Sequence, residues 1–137
     1  MKRTEARENT FLLLFEAGAK KDETPEEILE KAVEARGLQT DNYVTSVFHG
    51  VYEHAQEIDG VIEECLIGWK KARVSLASMA ILRLATYEMM FMPDIPAKVS
   101  INEGIELSKK YDDDKSFVFI NGVLNAVADK TGKKNHE

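Results

Sequence analysis

Apolar positions recur every three or four residues along nearly the whole chain and nowhere alternate in twos, a pattern that predicts an all-α protein. Thr4 to Ala19 carries Phe11, Leu12, Leu14 and Phe15, a band wide enough to bury. Thr24-Pro25-Glu26-Glu27 marks the next helix start. Thr24 caps, Pro25 sits in the first turn where its missing N–H costs nothing, and Glu27 completes a capping box. Gly37 ends that helix. From Asp41 the stripe Val44, Val47, Phe48, Val51, Ala55, Ile58, Ile62 and Cys65 advances by three or four, and Gly60 inside it predicts a break into two helices.

Leu76 to Met92 is apolar on almost every side, as a central or membrane-spanning helix would be. Ser75, Ser78, Arg83, Thr86 and Glu88 interrupt it too often for a bilayer span, so it reads as the central helix of a core. Pro93 and Pro96 punctuate a loop. Ser100-Ile101-Asn102-Glu103 has the form of a second capping box, opening a helix to Tyr111. Asp112 to Asp114 favour the N-terminus of a last helix from about Lys115 to Thr131.

A chain of 137 residues argues for one domain over 1–137, large enough to build a core. The lone Cys65 excludes an internal disulfide and a cysteine-based zinc site, and with no secretory signal in view it points to a reducing, cytoplasmic setting. A net charge of −6 argues against non-specific nucleic-acid binding. The distribution is bipolar, however. Lys2, Arg3 and Arg7 crowd the N-terminus, Lys70, Lys71 and Arg73 form a second knot, and Lys130, Lys133 and Lys134 a third. A basic site on an acidic protein is therefore open.

Catalytic patterns are missing. His49, Glu53 and Glu57 stand four apart on one helical face, but with one His and no Glu-x-x-His or His-Glu-x-x-His motif they read as a solvated charged face. His54 reads as a surface or partly buried helix residue, and Cys65 as a small core residue. The Asp112-Asp113-Asp114 run lacks the spaced ligands and glycine of a calcium loop, and no glycine-rich phosphate loop occurs. No enzyme, metal or cofactor is expected.

Three runs bear a specific resemblance. Ala80-Ile81-Leu82-Arg83-Leu84-Ala85-Thr86-Tyr87-Glu88, the stretch Asp94-Ile95-Pro96-Ala97-Lys98-Val99-Ser100-Ile101-Asn102-Glu103-Gly104-Ile105-Glu106-Leu107, and Phe119-Ile120-Asn121-Gly122-Val123-Leu124-Asn125 follow one another in order. Together they resemble the signatures of the NusB family of bacterial transcription antitermination factors. Ala6-Arg7-Glu8 and Trp69 also fall where that family has them. The resemblance covers essentially the whole chain.

It implies about seven helices in two small bundles, and a non-catalytic adaptor that binds boxA RNA of ribosomal-RNA leader transcripts. NusE, the transcription form of a small-subunit ribosomal protein, is the implied protein partner, and elongating RNA polymerase the implied destination. The family's basic N-terminal run places RNA contacts at Lys2, Arg3 and Arg7. Arg3 and Arg7 are four apart, hence neighbours on one helical face, and both are expected to face water. Two arginines at the positive end of a helix dipole are disfavoured there by roughly 0.3–1 kcal/mol each, a burden a phosphate would relieve.

Lys115 and Phe119 match family positions near the RNA. Phe119 sits at the edge of the last helix's core stripe, where it either packs or stacks on an unpaired base. The resemblance puts NusE contacts at Phe15 and Ser78. Arg83, Tyr87 and Glu88 read as internally hydrogen-bonded scaffold, and Trp69 as a plug between the two halves. Lys70, Lys71 and Arg73 have no assigned role. Two alternatives stand beside this reading. One is a homodimeric protein-interaction module without RNA. The other is an RNA-modifying enzyme, since the resemblance extends to the N-terminal domain of some ribosomal-RNA cytosine methyltransferases; no cofactor motif is present for it and no room for a methyltransferase domain is expected before Glu137.

Overall fold

The computed structural model describes residues 1–133, so Lys134 of the third basic cluster lies outside the described residues. Seven α-helices are present among them: α1 (Arg3–Ala19), α2 (Pro25–Arg36), α3 (Asn42–Glu53), α4 (Ala55–Cys65), α5 (Leu76–Phe91), α6 (Ala97–Tyr111) and α7 (Ser116–Thr131). A single 3-10 turn at Lys71–Arg73 joins α4 to α5. The all-α expectation holds, and no described helix is long and apolar enough to cross a membrane.

Helix α5 is the axis. It packs against α1, α3, α4, α6 and α7; α1, α2 and α3 also touch one another, as do α4, α6 and α7 through α7, so two small bundles share it. Met79, Ala80, Ile81, Leu82, Leu84, Ala85 and Met89 are all buried on it, which is why its sequence is apolar on every side. One continuous apolar core joins these residues to Phe11, Phe48, Ile58, Ile62, Ile120 and Leu124. Gly104 lets α6 come in close. A Cβ there would lie 3.0 Å from the Leu124 side chain and 3.3 Å from Ile81.

The local signals of α2 work as read. Glu27 N–H donates to Thr24 Oγ1 at 3.2 Å, Thr24 N–H donates to the Glu27 carboxylate at 3.1 Å, and Gly37 closes the helix in the left-handed region at φ 65°.

Two local readings fail. The break expected at Gly60 falls at His54, which ends α3 and begins α4, and Gly60 lies inside α4. No breaker residue marks that position. The His54 ring instead stacks on Phe91 of α5 at 4.2 Å, a contact between helices far apart in sequence. The second capping box does not form either. Helix α6 starts four residues earlier, with Pro96 in place of Ser100 before its first turn, and Ser100 and Glu103 turn to tertiary partners.

Candidate nucleic-acid interface

Polar groups of α1, α3, α5 and α6 meet at one buried knot. Arg7, 5% exposed, donates from Nε to Glu88 Oε2 at 2.7 Å and from Nη1 to Glu103 Oε1 at 3.0 Å. Glu88, 1% exposed, also accepts from Ser100 Oγ at 2.7 Å and from the Tyr43 hydroxyl. Burial alone would pull the Arg7 pKa down, but the hydrogen bond and charge of Glu88 outweigh it and hold the guanidinium above its ordinary value. Burial first, then the Glu88 charge, pushes the Tyr43 phenol up. The knot is closed: its donors and acceptors serve one another.

Arg7 therefore does not face water, which corrects the expectation that it joins Arg3 on an exposed patch. Arg7 lies level with Glu88 and is drawn between α5 and α6. Arg3, one turn earlier, stays exposed with its guanidinium 4.4 Å from the centre of the Tyr43 ring, and Lys2 beside it is exposed too. The N-terminal basic patch is Lys2 and Arg3.

A second basic locus is a groove of about 540 Å³ where the α4–α5 connection faces the start of α7. Lys115 and Phe119 line it, as do Trp69, Lys70 and Arg73 from the connecting segment. Trp69 and Phe119 meet edge to face with ring centres 4.7 Å apart. Trp69 is 57% exposed, so it is not a plug between two halves. Phe119 is half-buried, packed in part against the core. Lys70, Arg73 and Lys115 make no side-chain hydrogen bond or ion pair among the described residues, although Lys115 lies in the field of Asp113.

The acids of the groove are held in place. Asp112 accepts from Ser75 Oγ and Ser78 Oγ, both at 2.7 Å, tying the α6–α7 link to the start of α5. Asp113 accepts from the Ser116 N–H and hydroxyl, both at 2.9 Å, and so caps α7. Ser78, expected at the partner surface, is 2% exposed with its hydroxyl committed to Asp112, and it lines the floor of this groove. Phe15 is half-buried, its ring 5.9 Å from Phe11, and offers part of a face.

Burial works against the Asp112 carboxylate, but the two serine hydrogen bonds outweigh it and its pKa lies below the ordinary 3.8. A folded pKa below the unfolded one gives stability that is full above about pH 4 and is lost as pH falls through the folded value. Asp112→Asn should therefore flatten the loss of thermal stability on acidification relative to the parent, as followed by melting at a series of acidic pH values.

The model of the NusB family matches residues 4–129. The chain belongs to the NusB family. It is 44% identical over 128 residues to the transcription antitermination protein NusB of Clostridium novyi, covering 90% of this chain and 96% of that one. Against the NusB of Bacillus subtilis it is 42% identical over 127 residues, covering 93% and 95%. Among solved structures, NusB of T. maritima superposes with a TM-score of 0.83 at 34% identity, covering 95% and 92%. A structure of the antitermination factors NusB and NusE in complex with double-stranded RNA superposes at 0.81 and 28% identity, covering 93% and 96%. In this NusB-family chain the three signature runs fall on α5, on the loop and helix of α6, and on α7, and they supply Glu88, Ser100 and Glu103 to the buried knot. The segment Gly68 to Arg73, outside those runs, supplies the groove wall that sequence reasoning left unassigned. Its signal was there: a tryptophan followed by three cations in four residues.

Proposed function

We propose that the protein is a non-catalytic transcription antitermination factor that binds boxA-type single-stranded RNA of ribosomal-RNA leader transcripts together with NusE. It carries that RNA to elongating RNA polymerase. The observation that supports this most directly is the match, over 93% of the chain, to a relative solved with NusE and double-stranded RNA. The two unpaired basic loci supply the chemistry RNA needs. About 14 Å of helix separates Glu103, beside the N-terminal patch, from Asp112 in the groove, a span a few nucleotides cover at about 3.4 Å each.

The test is titration of boxA-type RNA with and without cognate NusE. Affinity should rise with NusE, and RNA should strengthen the protein pair in turn, because linkage is reciprocal. Complex formation with NusE that ignores RNA would leave an adaptor of protein association only.

Lys2→Ala and Arg3→Ala should each lower the magnitude of the log–log salt slope by about 0.7, one phosphate contact apiece on single strands. Phe119→Ala removes an aromatic face and no charge, so affinity should fall by roughly 1–3 kcal/mol with the slope unchanged. Titrations at several salt concentrations read both. A Phe119→Ala protein that melts much lower yet binds RNA normally would make Phe119 a packing residue.

A further inference from the structure

Helix α2 sits at the edge of the fold. Of its 12 residues only Ile28 and Ala32 are buried, and its main neighbours are α1 and α3. Beside that buried edge runs a groove of about 410 Å³, with Leu29 and Val33 along it and His49 of α3 as the facing wall. Val33 is 42% exposed, an apolar side chain that the fold leaves in water. The His49 ring is fixed, its Nδ1 donating to the Thr45 carbonyl at 2.8 Å. Along the outer side stand Glu26, Glu30 and Glu34, one turn apart. Like charges at four-residue spacing destabilise the helix that carries them. Glu30 and Glu34 have no ion pair among the described residues, and Glu26 has only the His49 ring, 4.0 Å away. The cations of α2 itself are turned elsewhere: Lys31 pairs with Glu23, and Arg36 with Glu16 of α1.

A surface that is apolar along one edge and anionic along the next selects its occupant by charge. RNA and anionic lipid are repelled by three carboxylates on a chain of net charge −6. A cationic protein helix fits on both counts. Its apolar residues lie over Leu29 and Val33, as an amphipathic helix lies in a groove. Lysines or arginines one turn apart on its flank repeat at the interval of the glutamates. We propose that the groove between α2 and α3 is a docking site for a basic amphipathic helix of another protein. None of the groove's residues belongs to the Lys2–Arg3 patch or to the groove beside α7, and Phe15, where NusE contact is expected, is not among them. The docking site is therefore a third face of the adaptor, open while RNA and NusE are bound.

The probe is a fluorescein-labelled peptide of about 15 lysine, leucine and alanine residues, long enough to be helical, with its leucines on one face. A permuted peptide of the same composition, without an apolar face, is the control. The full chain should raise the anisotropy of the amphipathic peptide and not of the permuted one. Glu30→Lys/Glu34→Lys should weaken binding about 10-fold or more, because attraction becomes repulsion. Glu106→Lys/Asp114→Lys makes the same change in net charge at exposed acids outside the groove, and should leave the affinity within about twofold at physiological salt. Val33→Gln removes the exposed apolar surface and should weaken binding about 5- to 10-fold. All of these side chains are exposed, so each variant should melt like the parent by circular dichroism.

No binding of the amphipathic peptide, equal binding of the permuted one, or full affinity in Glu30→Lys/Glu34→Lys or Val33→Gln overturns the proposal and leaves the RNA-binding role standing. Cognate NusE should leave the peptide bound; displacement by NusE would make the groove part of the NusE surface and overturn it as a third face. Sedimentation of the chain alone tests a second copy as occupant. A dimer that Val33→Gln dissolves would put that copy in the groove and overturn the foreign helix, whereas an association state that Val33→Gln leaves unchanged supports it.

Discussion

Arg7→Ala should destabilise the protein by about 3–5 kcal/mol, far more than the loss of an exposed arginine. The guanidinium is the counter-charge of Glu88, which is 1% exposed, and it also reaches Glu103. Its removal leaves a buried carboxylate with only the hydroxyls of Tyr43 and Ser100, and the loss of an ionic partner in such a site is the expensive kind of change. Against a typical stability of 5–15 kcal/mol the variant retains a small part of its margin. Urea denaturation measures it, with Arg3→Ala as the comparison, expected within about 0.5 kcal/mol of the parent because that side chain is exposed. An Arg7→Ala protein that is as stable as the parent but fails to bind RNA would return Arg7 to the RNA interface and unseat the buried knot as its role.

Leu84→Asp should abolish folding. Leu84 is 3% exposed on the central helix, one turn before Glu88. A carboxylate at that point has no cation to pair with, since Arg7 is already shared between Glu88 and Glu103. Burying it uncompensated exceeds the whole stability margin, and protonating it to escape the charge still strands a polar group in the core. Circular dichroism should show loss of helicity and of a cooperative melt. Leu84→Met, which keeps the volume and adds no charge, should stay folded at a cost below about 1.5 kcal/mol. A soluble, cooperatively melting Leu84→Asp protein would refute the central position of α5.

The elements were legible because their signals are local. Periodicity at three and four residues, the Thr24–Glu27 box, the left-handed Gly37 and an all-round apolar α5 depend on neighbours within a turn or two, and each appears where expected. The candidate site was legible only in part. Lys115 and Phe119 do share one groove, and Lys2 and Arg3 do face water. Arg7 and Ser78 are buried.

What the sequence by itself determined was the all-α class, the helix inventory and the family, all of which follow from short-range pattern and motif order. Only the tertiary structure decided which polar residues turn inward. Arg3 and Arg7 are equivalent by helical spacing, yet only Arg7 lies level with Glu88, so one is an internal counter-ion and the other a free cation. Ser100-Ile101-Asn102-Glu103 reads equally well as a cap or as one donor and one acceptor for a distant knot, and the buried Arg7–Glu88 pair selects the second. Trp69 and the cations after it became a groove wall through their approach to α7, some fifty residues on, a distance along the chain at which no local pattern carries information.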